Sequence, residues 1–453
     1  MRIILVGAGV VGYHLAERLS VEGHDISVID SSHDLVRRID EKLNVLAIEG
    51  DASTPSVLRR AGAEGADLVI AVTDRDNTNL VVSLIARKMG ARKVVVRLRN
   101  RELSGEDSLL APEEVGADFV INPVTTTADL LKRIVRNPGT FDVAEFADGD
   151  LLLWGYEVSD ESPLAGLKLH QLRAKYQSSV NALIVAIARP NGELVIPRGD
   201  DELRARDHIY VFIHRKSLGA FRDLVHPEKD RAERVLIEGG TKLGVTVARE
   251  IESRVKSVVL VDRDRERAEA ASTVLDKALV LHGDVVDPDF ARDNNLERSD
   301  VFLALTGDDQ TNLMHSLFLK KLGVSRIVVQ AQEPAYLPVL HTLNVGVVVT
   351  PRLLTVNAIL RHIRRGRVLQ VSQIGETGAE AREYLVTEES RVAGQALRDL
   401  KIPRGSIVGS IQRHEKVSIP DGTTQILPGD HVVIFALPDA VSAVEKLFSK
   451  KRS

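Results

Sequence analysis

One glycine-rich pattern occurs twice in this chain, at positions 232 residues apart. Each copy has an apolar run, a cluster of glycines, a helix-like stretch and an acidic residue after the next apolar run. Three matched pairs define the repeat: Gly7 with Gly239, Gly12 with Gly244, and Asp30 with Asp262. This order of elements is typical of a unit that binds a nucleotide. The chain therefore carries two such units in tandem, which a single enzyme seldom needs.

Length and composition narrow the class of protein. A chain of 453 residues exceeds what one hydrophobic core supports, so several domains are expected. The formal net charge of −4 offers no basic surface for nucleic acid. No apolar run approaches the roughly 20 residues that cross a bilayer, and we expect no signal peptide because the amino terminus enters a predicted strand. Cysteine is absent, which excludes disulfides and thiolate chemistry.

The region around each glycine motif alternates apolar strands with amphipathic helices. Six strand-like runs precede residue 124, at 2–6, 26–29, 45–48, 68–72, 94–97 and 119–121. Between the first two, Val11, Leu15 and Leu19 recur at helical spacing. Apolar strands that alternate with helices indicate a parallel sheet covered on both faces. We therefore predict an α/β fold with two Rossmann-like, doubly wound domains, over residues 1–124 and 232–350.

A second pattern follows each of these domains. Short strands are predicted at 151–158, 182–188, 193–196 and 208–213, with a hairpin turn at 189–192 and a short helix after Gly166. The pattern recurs, because residues 164–166 return as 392–394 and 207–212 return as 430–435. The duplicated unit is thus a Rossmann-like domain with a small α+β module, and the modules are predicted over 141–225 and 368–451.

The first glycine motif fits a dinucleotide. Gly7 permits a tight turn, Gly9 lets the backbone approach a pyrophosphate, and Gly12 lets the helix pack on the strand. Asp30 follows Gly12 by 18 residues, where a carboxylate accepts hydrogen bonds from a ribose diol. Because Ser31 rather than an arginine comes next, we expect NAD(H) rather than NADP(H). The alternative is a Rossmann-like sheet whose glycines serve packing alone.

The second motif departs from the first at one informative position. Thr241 stands where Gly9 stands, and a β-branched residue hinders close approach of the backbone to a pyrophosphate. Asp262 is retained, but arginines surround it. Three outcomes remain open for this site: weaker binding of NAD, preference for ATP or ADP with help from Lys242, or no ligand.

Catalytic groups are not evident in the sequence. A dehydrogenase needs a residue that moves a proton and a pocket for the substrate. The 13 histidines show no spacing typical of a metal site or a catalytic triad. His14, on the predicted first helix, is interpreted as an ordinary surface or packing residue. We therefore assign neither catalytic residues nor metal ligands.

The paired units resemble the regulator of potassium conductance domains, called RCK or KTN domains, with their small carboxy-terminal modules. The similarity covers essentially the whole chain. Its most specific parts are residues 6–12, 49–52 and 71–74, Asn77, and the turns Ile196-Pro197 and Ile419-Pro420. The resemblance implies a cytoplasmic homo-oligomeric ring of such domains. It also implies that the ring gates a membrane K⁺-translocating subunit, similar to TrkH or TrkG, at the inner face of the cell membrane.

The resemblance also implies that nucleotide binds at the carboxyl edge of each sheet. The implied residues of the first site are Gly7, Ala8, Gly9, Val10, Val11, Gly12, Asp30, Asp51, Ala52, Thr73, Asp74 and Arg97. Those of the second site are Gly239, Gly240, Thr241, Lys242, Leu243, Asp262, Asp284 and Thr306. Thr241 departs from the pattern, and so does Gln330, which takes the place of Arg97.

Three functions are compatible with these features. The leading hypothesis is a regulatory subunit that senses NAD(H) or another adenine nucleotide and is not an enzyme. The second is an NAD-dependent oxidoreductase with a duplicated cofactor domain, which an assay of hydride transfer would reveal. The third is a nucleotide-binding scaffold without a membrane partner, which would not co-purify with membranes.

Overall fold

The computed structural model describes most of the chain. The described residues are 1–21, 23–104, 108, 110–137, 139–176, 180–189, 193–225, 232–343, 345–363, 368–374, 379–414 and 416–448. Within these residues the chain forms two parallel sheets and two antiparallel sheets, which alternate along the sequence. The predicted fold class is therefore confirmed. None of the described helices has the length and apolar character that would let it cross a membrane.

The first Rossmann-like domain is an alternation of strands and helices. Its strands are β1 (Arg2–Val6), β2 (Asp25–Asp30), β3 (Leu46–Glu49), β4 (Leu68–Ala71), β5 (Val94–Arg97) and β6 (Phe119–Ile121). Its helices are α1 (Val10–Val21), α2 (His33–Lys42), α3 (Pro55–Arg60), α4 (Asp76–Lys88) and α5 (Pro123–Arg136).

The strand order β3-β2-β1-β4-β5-β6 is that of a doubly wound nucleotide-binding sheet. β1 lies at the centre, because Val6 pairs in parallel with Ile29 on one side and Ala71 on the other. Helices cover both faces, so β4 and β5 are buried throughout and β1 is buried except at Arg2. All six strands run in the same direction, and their carboxyl ends therefore meet at one edge of the sheet.

The first small module follows. Its strands are β7 (Thr140–Phe146), β8 (Leu151–Glu157), β9 (Ala182–Ala188), β10 (Leu194–Val195) and β11 (His208–His214), in the order β10-β9-β11-β8-β7. Its helices are α6 (Leu169–Tyr176) and α7 (Leu218–Val225). β9 and β10 pair antiparallel, as predicted, whereas residues 190–192 of the predicted turn at 189–192 lie outside the described residues.

The second Rossmann-like domain repeats the topology of the first. Its strands are β12 (Arg234–Glu238), β13 (Ser257–Asp262), β14 (Leu279–His282), β15 (Val301–Ala304), β16 (Arg326–Gln330) and β17 (Val347–Val349). Its helices are α8 (Lys242–Ile251), α9 (Arg265–Ser272), α10 (Pro288–Asp293), α11 (Asp309–Lys321), α12 (Leu337–Thr342) and α13 (Pro351–Ile363). The strand order β14-β13-β12-β15-β16-β17 matches that of the first domain strand for strand.

The second small module completes the described chain. Its strands are β18 (Val368–Ile374), β19 (Ala379–Leu385), β20 (Ser406–Arg413), β21 (Lys416–Ser418) and β22 (His431–Ala436), in the order β18-β19-β22-β20-β21, and its helix is α14 (Pro438–Phe448). A buried aspartate precedes one strand of each module. Asp207 pairs with Arg189 before β11, and Asp430 pairs with Arg413 before β22.

The chain divides into two compact units. One comprises 1–129, 236–254 and 258–362, which hold the two Rossmann-like domains. The other comprises 130–235, 255–257 and 363–453, which hold the two small modules. Within the second unit the modules share one apolar core, in which Phe146 and Phe212 of the first module pack with Ala381 and Phe435 of the second.

The structure adds one strand at the start of each small module, β7 and β18, to those predicted from the sequence. β7 was not anticipated, because Asp142 and Glu145 interrupt its apolar residues. Ala144 and Phe146 nevertheless face the core that the two modules share. Its apolar partners include Phe212 of the same module and also Ala381 and Phe435, which lie more than 200 positions away and are not evident from the local sequence.

Candidate nucleotide sites and comparison with known proteins

The first glycine loop joins β1 to α1 in a compact turn. Gly7 has φ of +106°, and a Cβ atom there would lie 3.0 Å from the backbone nitrogen of Thr73. At Gly12 a Cβ atom would lie 1.8 Å from the carbonyl oxygen of Gly7. At Gly9, by contrast, a Cβ atom would meet no other atom within 4 Å. Two of the glycines are therefore needed for the fold of the loop, whereas Gly9 leaves open space above it.

Asp30 binds the loop from the end of the neighbouring strand. Its Oδ2 atom accepts a hydrogen bond of 2.6 Å from the backbone N–H of Ala8, and its Oδ1 atom accepts one of 2.9 Å from Ser32. The carbonyl of Asp30 accepts a bond from Gly50, which positions the following residue, Asp51, at the same edge. Hydrogen bonds from Ser53 lower the pKa of Asp51, which remains exposed.

Thr73, Asn79 and Arg97 form a network on the other side of the loop. The Oδ1 atom of Asn79 accepts hydrogen bonds from the N–H and the hydroxyl of Thr73, at 3.0 and 2.7 Å. Its Nδ2 atom donates to the carbonyl of Arg97 at 2.8 Å. The Nη2 atom of Arg97 donates to the carbonyl of Thr73 at 2.6 Å. Burial, and to a smaller extent the charge of Arg99, lowers the pKa of Arg97 to about 10.

All residues predicted for the first site follow or end parallel strands at the carboxyl edge of the first sheet. Ala8, Ala52 and Arg97 are buried, whereas Asp51 and Asp74 are exposed. The edge thus presents backbone N–H groups, an aspartate and a guanidinium beside an unobstructed glycine. This combination can bind phosphates through amides and a ribose through the carboxylate.

The second glycine loop keeps the geometry of the first. Gly239 has φ of +112°, and a Cβ atom at Gly244 would lie 2.0 Å from the carbonyl oxygen of Gly239. The N–H of Gly240 donates to Asp262 at 2.6 Å, the same distance as in the first domain. The second loop differs from the first in one contact, because Arg267 forms an ion pair of 3.0 Å with the Oδ1 atom of Asp262. A ribose would have to share that oxygen with the guanidinium.

Thr241 has a structural role that the sequence analysis did not anticipate. It is the N-cap of α8, because its hydroxyl oxygen accepts a hydrogen bond from the N–H of Gly244 at 3.2 Å. The same hydroxyl donates to the carbonyl of Leu305 at 3.0 Å. The side chain therefore satisfies a helix terminus that the glycine at the matching position of the first domain cannot cap.

Two cavities adjoin the second loop. The larger, about 750 Å³, is lined by both Rossmann-like domains. Its charged residues are four basic ones, Arg97, Arg99, Lys242 and Arg352, and three acidic ones, Asp308, Asp309 and Glu333. It also brings the predicted residues Thr241 and Leu243 into one space with Arg97. The smaller, about 210 Å³, is lined by Glu238, Gly239, Asp262, Arg263, Arg267, Thr306 and Asp308. Asp284 lies next to it, close to Glu238.

One cluster was missed altogether. Glu238, Asp284 and His315 meet beside the second glycine loop, although they are widely separated in the sequence. No local motif joins them. The available signal was a position-by-position comparison of the repeats, in which Glu238 and His315 match Val6 and Val82 of the first domain.

Both kinds of domain match known family models. The TrkA-N domain matches residues 3–123 and again 235–351, and the TrkA-C domain matches 155–226 and 381–449. The chain belongs to the TrkA family. A member named Trk system potassium uptake protein TrkA, from Halomonas elongata, is 33% identical over 99% of this chain and 98% of its own length. The potassium-transport family expected from the sequence is thereby confirmed.

Other family members and solved structures agree with this assignment. A Trk system potassium uptake protein TrkA homolog from Archaeoglobus fulgidus is 33% identical over 99% of this chain and 100% of its own length. The GsuK RCK domain matches 98% of this chain and 94% of its own, with a TM-score of 0.63 and 18% identity. A structure of the GsuK channel bound to NAD also has a TM-score of 0.63 at 18% identity, over 98% of this chain and 78% of the GsuK chain. At this identity the structural likeness concerns the fold, which is that of tandem RCK domains.

Proposed function

We propose that this chain is a nucleotide-sensing regulatory subunit that binds and gates a membrane K⁺-translocating subunit of the TrkH or TrkG type. The observation that carries the proposal is the pair of matched glycine loops, each held by an aspartate at 2.6 Å, in a member of a potassium uptake family. In this proposal the protein works in the cytoplasm as a homo-oligomeric ring, attached to the inner face of the membrane through its partner. Its four domains have the boundaries given by the sequence analysis.

The first site is proposed to bind NAD(H). The N–H groups at the start of α1 would face the pyrophosphate, since Gly9 leaves that space open. Asp30 has spare lone pairs beyond its bonds to Ala8 and Ser32, and these can accept from a ribose diol. Asp51, Thr73, Asp74 and the rest of the first set would complete the site at the same edge.

The second site is proposed to bind dinucleotides more weakly, or to take ATP or ADP instead. Arg267 competes with a ribose for Asp262, and Thr241 stands at the position of closest phosphate approach. The adjacent cavity is lined by four basic residues and by the acidic Asp308, Asp309 and Glu333, and the excess of one positive charge would suit an anionic ligand. Lys242 is the first residue of α8, and its positive charge would add to that of the helix N-terminus in attracting phosphates.

Gating requires that nucleotide bind two shapes of the ring unequally, because a ligand with equal affinity for both shapes shifts nothing. A coupling of about 1–3 kcal/mol between nucleotide and gate would change channel opening about 5-fold to 150-fold. The second hypothesis, an oxidoreductase, needs a proton-transfer group beside the nicotinamide. An assay of hydride transfer with small alcohols and acids separates the two.

The deciding experiment is reconstitution of the K⁺-translocating subunit in vesicles, with and without the full chain, in the presence of NAD⁺, NADH, ATP or ADP. We expect K⁺ flux to change when the chain is added and to change again with nucleotide. Gly9→Ala is the matched control, because it obstructs the first site without disturbing the loop. Identical flux under all conditions, despite a demonstrated complex, would refute the regulatory function.

A further inference from the structure

Three potential metal ligands converge beneath the second glycine loop. Glu238 is the last residue of β12, Asp284 follows β14, and His315 lies on α11. One ligand atom from each lies within 4.8 Å of the other two. The Nδ1 atom of His315 and the Oε1 atom of Glu238 are 2.7 Å apart. Three separate elements of the domain thus bring an imidazole and two carboxylates to one point.

Glu238 is buried yet only partly satisfied. Its side chain is 6% exposed, and its Oε2 atom has no hydrogen-bond partner among the described residues. A buried carboxylate oxygen without a partner is unfavourable, because it has lost its hydration and gained nothing in return. A cation bound to the free oxygen would remove this cost, since buried charges are usually paired or coordinate metals.

The first domain demonstrates that the fold does not require these polar groups. Val6 and Val82 occupy the matching positions and are 1% and 0% exposed. Asp51 matches Asp284, so the carboxylate after the third strand is common to both domains. The second domain therefore replaces two buried valines with a glutamate and a histidine beside an aspartate that was already present. Packing alone gives no reason for that exchange.

We propose that Glu238, Asp284 and His315 form a binding site for one divalent transition metal ion of the zinc class. An imidazole with two carboxylates is a ligand set that such ions accept, and three protein ligands leave a further position for water. Tetrahedral ligands around zinc lie about 3.3 Å apart. The ion pair between His315 and Glu238 would therefore have to open by only about half an ångström to admit the ion.

An ion bound at this site would connect three elements of the second Rossmann-like domain. Glu238 directly precedes Gly239, and Glu238 also lines the smaller cavity with Asp262 and Thr306. A bound ion would fix the end of β12 to α11 through His315 and to the loop after β14 through Asp284. Asp284 also belongs to the residues implied for the second nucleotide site, whereas Glu238 and His315 do not, so the metal site adjoins the nucleotide site and shares one carboxylate with it.

The test uses the full chain, freed of metal by a chelator and titrated with Co²⁺ as a visible probe and then with Zn²⁺. We expect one Co²⁺ per chain, with a d–d absorption band that Zn²⁺ abolishes. Glu238→Gln, Asp284→Asn and His315→Gln should each weaken binding about 100-fold or more, because even partners outside the ligand shell contribute 10-fold to 100-fold to affinity. His282→Gln removes an exposed histidine of the same domain and should leave the titration unchanged.

A double substitution, Glu238→Val with His315→Val, guards against loss of folding. It gives the second domain the valine pair that the first domain already carries, so we expect a folded protein without the Co²⁺ band. Circular dichroism verifies the fold. The proposal is overturned if the wild-type chain yields no band at millimolar Co²⁺. It is also overturned if the band survives in the folded double variant, since the ion would then bind elsewhere.

Discussion

The carboxylate of Asp30 and the backbone N–H of Ala8 form a hydrogen bond of 2.6 Å that ties the end of β2 to the first glycine loop. Asp262 and Gly240 repeat this bond in the second domain at the same distance. The aspartate thus holds the loop in shape in addition to any contact with a ribose. What differs is the second carboxylate oxygen, which accepts from Ser32 in one domain and from both Asp264 and Arg267 in the other.

Asp30→Ala should lower the affinity for NAD(H) about 10-fold or more. The substitution removes hydrogen bonds to a charged acceptor, each worth about 1.5–3 kcal/mol, from both the loop and the ribose. Isothermal titration calorimetry measures the change, and circular dichroism verifies that the variant is folded. Asp262→Ala is the matched control and should leave the high-affinity site unaltered. Equal NAD(H) affinity in wild type and a folded Asp30→Ala variant would show that Asp30 does not contribute to binding.

Gly9→Ala and Gly12→Ala should separate binding from folding. A methyl group at Gly9 meets nothing within 4 Å, so stability should stay within about 0.5 kcal/mol while NAD(H) affinity falls. A methyl group at Gly12 would lie 1.8 Å from the carbonyl oxygen of Gly7, and relief of that overlap should cost about 1–3 kcal/mol or more. Urea unfolding and calorimetry measure both properties. Equal loss of stability in the two variants would contradict the geometry of the loop.

Thr241→Gly should raise the dinucleotide affinity of the second site if steric closeness is the obstacle. Because the hydroxyl of Thr241 caps α8, the same variant should lose a few tenths of a kcal/mol in stability. Thr241→Ser keeps the cap and is the control for stability. Nucleotide titrations in a background of Asp30→Ala isolate the second site. Unchanged affinity in Thr241→Gly would leave the ion pair of Arg267 with Asp262 as the cause of the inequality.

The sequence was most informative where function or fold depends on short-range patterns. β1, β5, β6 and β9 coincide with the predicted runs, because apolar strands between helices are recognisable without their neighbours. The repeat also located both glycine loops and their aspartates. The capping role of Thr241 and its bond to Leu305 depend on how the loop packs against β15, which the sequence does not encode locally.

The features that the sequence analysis did not predict depend on residues that are far apart in the sequence. β7 faces a core that is completed by residues of the second small module, such as Ala381. Glu238 and His315 come together only when β12 and α11 are packed side by side. Arg97 and Lys242 share a cavity because two domains line it. In each case the decisive neighbour lies far along the chain, so periodicity and spacing could not reveal it.

Arg413→Ala should destabilise the second small module. Asp430 is buried and accepts hydrogen bonds of 2.8 Å from Nε and Nη2 of Arg413 and from the N–H of Leu427. Loss of the guanidinium leaves the carboxylate with one donor, which should cost about 1.5–3 kcal/mol. Arg189→Ala, at the matching pair with Asp207, should have a similar effect on the first module. Thermal unfolding that is unchanged in both variants would contradict a stabilising role for these pairs.

Glu238 should make the stability of the metal-free protein depend on pH. Burial raises the pKa of Glu238, and the hydrogen bond and charge of His315 oppose that shift. To a smaller extent, the charge of Asp284 raises this pKa and that of Arg263 lowers it. The folded protein therefore retains a proton that the unfolded chain has released, so the free energy of unfolding should fall as pH rises above the usual glutamate value of 4.5.

Glu238→Gln, which cannot titrate, should lack this decline. Urea unfolding in the presence of a chelator, at pH values from about 4.5 to 8, gives the difference between wild type and variant. The difference should increase with pH until the buried carboxyl is fully ionised. His315→Gln should extend the decline to higher pH, because it removes the group that lowers the pKa of Glu238. Parallel pH profiles for wild type and Glu238→Gln would show that this carboxyl titrates alike in the folded and unfolded chains.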